Sequence, residues 1–263
     1  IYDSPMADFG YDISNYTSVW PTFGNVEDVR RLVATAKTLG LRVLMDLVPN
    51  HSSDQHPWFL DSKSSKSSEK RDWYIWKHAA PDGGPPSNWR SMFCFDPACS
   101  AWTLDKTTGE YYYHQFLKEQ PDLNWRNPDV VNAMHDVMRF WLDLGVSGFR
   151  VDAFINLLED PQLRNEPTDP SWRGPPVTAG YEKLIHTRTE NQPGMHAILR
   201  GMQGVLQEFG KDRMMIGEVY ADKVVSERDV MSYYGSKDKP EFNMPFNFAL
   251  VPFFGASFTA TTG

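Results

Sequence analysis

Three times along this chain, a stretch with apolar residues at helical spacing stops at a glycine, and a short apolar run carrying an acid follows. The first helix is predicted over residues 25–39, capped by Asn25. Val29, Leu32, Val33 and Ala36 repeat along its apolar side, and Gly40 stops it; residues 41–48 follow and hold Asp46. The second opens on Asn127-Pro128, a cap followed by proline at the first helical position. It carries an apolar stripe of Val130, Met134, Val137, Met138 and Trp141 and ends at Gly145; the strand at 148–152 closes on Asp152. The third covers 195–209, with Ile198, Met202, Val205 and Phe209 on one side. It stops at Gly210 and leads into 213–218, which closes on Glu218. Helix then strand, repeated, predicts an α/β fold around a parallel sheet. The apolar run 41–48 reads as a strand buried on both faces of that sheet.

Residues 52–121 interrupt this rhythm. Ser, Lys, Asp, Pro and Gly are dense there and Trp and Tyr are scattered among them, which predicts a loop-rich insertion with a small core of its own. The charged run at 63–71 reads as a solvated face, and 159–193 as a polar, proline-rich connection. Cys94 and Cys99 suit either a loop disulfide or two free thiols; their spacing fits no zinc pattern.

Composition narrows the partners. A net charge of −8 makes the chain a poor match for a phosphate backbone, so no nucleic-acid partner is expected. No run of apolar residues is long enough for a transmembrane helix, so no membrane partner is expected either. Aromatic residues make up 14% of the chain, which suits a large core or a surface that stacks on sugar rings. The opening Ile1-Tyr2-Asp3 lacks an initiator methionine, so the start of the protein is expected to lie upstream. Oligomeric state and compartment are left open.

Asp46, Asp152 and Glu218 share one kind of position. In parallel α/β folds the carboxyl ends of strands gather functional groups. Alternation along a strand puts Arg150 and Asp152 on one side and Phe149 and Val151 on the other. An arginine beside an aspartate holds it ionised. One strand-end acid reads as a structural ion pair; three, with Arg150 and His51 alongside, read as a site. One ionised and one protonated carboxyl are the minimum for glycoside hydrolysis, about 5 Å apart if the anomeric configuration is retained. No Gly-rich phosphate loop, His-Glu-x-x-His or Gly-x-Ser-x-Gly element is present, and no metal or cofactor is read from the chain. His78, His186 and His196 read as solvent-facing or structural.

The segments Asp46-Leu-Val-Pro-Asn-His51, Gly148-Phe-Arg-Val-Asp152 and Ile216-Gly-Glu218 resemble three of the four signature segments of glycoside hydrolase family 13, the α-amylase family, in order and in strand context. Residues 4–13, Pro57-Trp-Phe59, residues 71–76 and Gln120-Pro-Asp-Leu-Asn-Trp-Arg-Asn-Pro128 sharpen the resemblance to its α-glucosidase and oligo-1,6-glucosidase branch. The resemblance implies a TIM (β/α)8 barrel, incomplete here. Residues 1–51 would be its first part, 52–121 a subdomain inserted after the third strand, and 122–263 a truncated second part. Strands one, seven and eight, most of strand two and a C-terminal β-domain would be absent. It implies Asp152 as nucleophile, Glu218 as acid/base, and Arg150 holding Asp152 charged. His51, Tyr11 and Asp8 would bind the sugar, Asp46 would support the site from behind, and Phe93, Phe116 and Gln120 would line the pocket mouth. Asn50 corresponds to a calcium ligand in some relatives, and nothing in the chain points to the ion.

The chain departs from the pattern where the fourth signature, Asn-His-Asp, is missing; His135-Asp136 lies mid-helix and does not replace it. The substrate implied is an oligosaccharide or disaccharide, cleaved by an exo-acting α-glucosidase on maltose- or isomaltose-like bonds. A sucrose isomerase or transglucosylase on the same site, and a non-catalytic relative of amino-acid transporter heavy subunits, are the competing readings. The isolated chain, with part of its barrel absent, is expected to be inactive.

Overall fold

The computed structural model describes residues 1–93, 99–174, 180–246 and 248. It begins with a small antiparallel pair, β1 (Tyr2–Asp3) and β2 (Asn15–Val19). Helix α1 (Val26–Thr38) follows. Asn25 accepts from the Glu27 and Asp28 amides while Asp28 accepts from the Asn25 amide, so the helix start is satisfied reciprocally. Val29, Val33 and Ala36 are buried, but Leu32 is 57% exposed. The stripe narrows to the i, i+4, i+7 row, leaving Leu32 on its flank.

β3 (Leu44–Leu47) is shorter than the apolar run that announces it, and its burial alternates. Met45 and Leu47 are buried, while Leu44 and Asp46 are only partly covered. The expectation of a strand buried on both faces is therefore corrected: one face is buried in the core and the other is only partly covered.

After β3 the chain makes an excursion through α2 (Pro57–Ser64), β4 (Trp76–Lys77), β5 (Trp102–Asp105) and β6 (Glu110–Tyr113). The three strands form an antiparallel sheet in the order β4-β6-β5. The chain returns beside its point of departure: the Ser52 amide donates to the Pro121 carbonyl at 3.2 Å and that of Asp54 to the Glu119 carbonyl at 2.8 Å. Ile75, Trp89, Ala101, Trp102 and Tyr113 make a small separate core, whereas Phe59, Trp73, Tyr74 and Tyr112 join the main one. The charged run 63–71 is not wholly a solvated face. Arg71 is buried, pairs with Glu110 and stacks 3.5 Å from the Trp76 ring. Cys99 is disulfide-bonded; Cys94 lies outside the described residues.

Helix α3 (Pro128–Leu144) starts at the Asn127 cap, stops at Gly145 in the left-handed region, and buries all five stripe residues. It leads to β7 (Gly148–Val151), and α4 (Met195–Glu208) leads to β8 (Met214–Gly217). Three short elements come next: α5 (Glu227–Ser232), β9 (Gly235–Ser236) and β10 (Lys239–Pro240). The two-residue β11 (Met244–Pro245), which no sequence pattern announced, closes the order. The main sheet is parallel, in the order β11-β8-β7-β3. Among the described residues it is open, not a closed barrel. Phe149, Val151, Met45, Leu47 and Met215 pack against Met134, Met138, Met202 and Leu206 in one core. Each such side chain contributes about 1.5–3 kcal/mol on burial.

Gly148 lets β7 and β8 approach. Its φ is +150°, and a Cβ there would sit 1.8 Å from the Met214 carbonyl oxygen. Gly148→Ala should cost on the order of 4 kcal/mol in urea denaturation; a loss below about 1 kcal/mol would show that the strand contact is not limiting.

Candidate active site

The parallel register brings the acids together. Asp46 on β3 lies directly across from Arg150 on β7, and Arg150 across from Ile216 on β8. The Asp152 amide donates to the Leu47 carbonyl and the Glu218 amide to the Val151 carbonyl, so both acids continue the ladder just past their strands. The Arg150 guanidinium donates to Asp46 at 2.7 Å, to Asp152 at 2.5 Å and to Glu218 at 2.5 Å. Burial disfavours its charge, but the hydrogen bonds and charges of the three carboxylates outweigh that and hold it cationic.

Arg150 does not single out Asp152. Burial pushes the Asp152 carboxyl up to about 8 against the pull of Arg150; the hydrogen-bonded Glu218 carboxyl and the charge of Asp46 push the same way. Three carboxylates facing one guanidinium cannot all ionise cheaply, and this adds to the burial that raises Asp152. Arg150 pulls Asp152 toward its charged form, as the sequence suggests, and burial acts against that pull.

A cavity of about 420 Å³ opens over this cluster. Asp8, Tyr11, His51, Phe93, Phe116, Arg150, Asp152 and Glu218 line it, as do Phe9, Met92, Ile155, Asn156 and Tyr220. Asp46 lies beneath, accepting from the Tyr11 hydroxyl at 2.9 Å as well as from Arg150. With burial first and Asp46 second, the Tyr11 phenol is pushed up to about 12 and stays protonated. Phe116 packs between His51 and Phe93, with ring centroids 5.2 Å and 5.3 Å away.

Gln120 is corrected from pocket lining to buttress. It is 0% exposed. Its carbonyl accepts from the Leu117 amide at 3.1 Å, which turns its NH2 toward Asp8 and His51, both 2.9 Å away. Behind His51, the Asn50 side-chain nitrogen donates to Asp122 and to the Asn156 carbonyl, leaving its oxygen to accept from the imidazole Nδ1 at 2.9 Å. His51 Nε2 also lies 3.1 Å from the Tyr11 carbonyl, and burial lowers the imidazole pKa to about 4, so the ring is neutral. Asp12, buried, accepts from the Ala7 and Asp8 amides at 3.0 Å and from the Ser4 hydroxyl at 2.9 Å, which fixes the loop presenting Asp8. That loop contains Met6 and Phe9 at positive φ. Burial raises the Asp8 carboxyl, partly offset by the Gln120 amide.

Tyr220, Asn156 and Phe9 escaped sequence reading. Only Tyr220 carried a usable signal: two residues past Glu218 on extended chain, it faces the same side.

The α-amylase catalytic-domain family matches residues 1–257. The chain belongs to that family. An α-glucosidase of Culex pipiens is 39% identical over 95% of this chain and 42% of its own length. An oligo-1,6-glucosidase of Heyndrickxia coagulans is 41% identical over 94% of this chain and 41% of its own. This α-amylase-family chain thus spans less than half the length of those relatives. The crystal structure of the α-glucosyl transfer enzyme XgtA superposes with a TM-score of 0.84 at 35% identity, covering 100% of this chain and 50% of that one. The isomaltulose synthase SmuA from Protaminobacter rubrum gives 0.80 at 36% identity, covering 95% of this chain and 41% of that one. An amino acid transporter heavy chain of Rattus norvegicus is 39% identical over 94% of this chain and 36% of its length.

Folding raises the Asp152 pKa from its ordinary 3.8 to about 8, so the native state holds a proton the unfolded chain has released. This contribution to stability is present below pH 3.8 and is lost as pH rises through about 8. Arg150→Met removes the offsetting cation. It should cost about 3 kcal/mol at pH 8 and distinctly less near pH 5 in urea denaturation; equal losses at both pH values would contradict the shared-cation account.

Proposed function

We propose that the intact protein is a retaining, exo-acting α-glucosidase on maltose- or isomaltose-type oligosaccharides. The observation that carries this reading is the single guanidinium joining Asp152 and Glu218 on the floor of an aromatic-walled cavity. Both carboxyls accept from that one guanidinium, Asp152 from Nη1 and Glu218 from Nη2, which suits the close pair a retaining enzyme needs. Inverting chemistry instead needs room for a water between acids roughly 6.5–9.5 Å apart.

Asp152 attacks the anomeric carbon while Glu218 gives its proton to the leaving oxygen. Glu218 then takes a proton from the water that releases the sugar. Because Arg150 donates to both, their roles rest on the matched segments and not on the charges. In this reading Asp8 and His51 grip hydroxyls of the terminal glucose, Tyr11 stacks on its face, Phe93 and Phe116 shape the mouth, and Asp46 braces Arg150. The same reading gives the intact protein a (β/α)8 barrel, with residues 52–121 as the inserted subdomain. Likeness to an isomaltulose synthase and a glucosyl transfer enzyme favours one variant, a sugar in place of water as acceptor. The transporter heavy-chain reading is less economical, because the complete Arg150, Asp152 and Glu218 set is present.

In the intact protein, Asp152→Asn should lower kcat/KM on p-nitrophenyl α-glucoside more than about a thousandfold, and Glu218→Gln should cost at least about a hundredfold with maltose. Turnover that survives both substitutions would sink the site assignment.

A further inference from the structure

We propose that Tyr220 is a positioning residue for proton transfer: its hydroxyl holds Oε1 of Glu218, the oxygen that carries the transferred proton. The inference rests on the acid/base reading of Glu218. Glu218 Oε2 receives an N–H from Arg150. A guanidinium has no acceptor, so a proton on that oxygen would oppose the donor already there. Oε1 is left to carry it, and the Tyr220 hydroxyl lies 3.1 Å from that atom. A phenol both donates and accepts, so it suits either state of the carboxyl.

In this structure the Tyr220 hydroxyl donates to Oε1; when that oxygen carries the proton to be transferred, the phenol turns and accepts from it. As the glycosidic C–O bond breaks and Asp152 bonds to the anomeric carbon, the leaving oxygen takes that proton. The phenol O–H, its own proton kept throughout, then turns to donate to the carboxylate just formed. The Tyr220 ring stacks on Phe248 with centroids 4.0 Å apart and planes 12° from parallel, which aims the hydroxyl. Burial and the neighbouring Glu218 both raise the Tyr220 pKa, so it remains a phenol.

The test uses Tyr220→Phe and Tyr220→Ala in the intact protein, with methyl α-glucoside, whose leaving group needs a proton, and p-nitrophenyl α-glucoside, whose leaving group does not. Tyr220→Phe should lower kcat/KM about tenfold for the methyl glucoside and only slightly for the aryl one. Its alkaline limb should move to higher pH, because a donor to the charged carboxylate is gone. Equal losses on both substrates, an unmoved limb, or Tyr220→Phe matching wild type while Tyr220→Ala is impaired would overturn the proposal; the last outcome would assign the effect to the ring alone. Aryl-glucoside turnover that persists in Asp152→Asn would instead overturn the underlying site assignment.

Discussion

One guanidinium organises the carboxyl end of this sheet. Arg150 reaches acids from both neighbouring strands and from the end of its own. Parallel register makes this possible by setting Asp46 beside Arg150 and letting Asp152 and Glu218 extend the ladder by one residue. Coulomb attraction at this depth is strong, but three carboxylates exceed one cation, and burial raises the cost of the excess. Part of that cost shows as the raised pKa of Asp152.

The rest of the site consists of buttresses for that cluster. Gln120 joins Asp8 to His51, Asn50 joins His51 to Asp122, and Asp12 ties down the loop carrying Asp8. Most of these groups are buried and their main polar atoms paired, so this side of the cavity is held in place by the protein itself. The aromatic wall formed by Phe93 and Phe116 supplies the apolar counterpart.

Helical periodicity and capping were legible because they are local. The Asn25 and Asn127 caps and the buried stripe of α3 fall where the pattern puts them. Positions set by long-range packing were less legible. Leu32 lies outside the stripe, one face of β3 is only partly covered, and β11 depends on pairing with β8 and not on its own two residues. Within the site, the acids and Arg150 were visible as strand-end residues. The burial of Gln120 and the contact between Tyr220 and Glu218 depend on how separate segments meet. The sharing of Arg150 among three acids follows from strand adjacency, which spacing along the chain does not contain.

The central claim is that Asp152 forms the bond to sugar. A slowly released fluoroglucoside, incubated with the intact protein and followed by mass spectrometry of its peptides, tests it directly. The account predicts one added glycosyl group, on the peptide containing Asp152 and on its carboxylate. A group attached to Glu218 or any other residue, or steady turnover with no trapped adduct and inversion at the anomeric carbon, would contradict it.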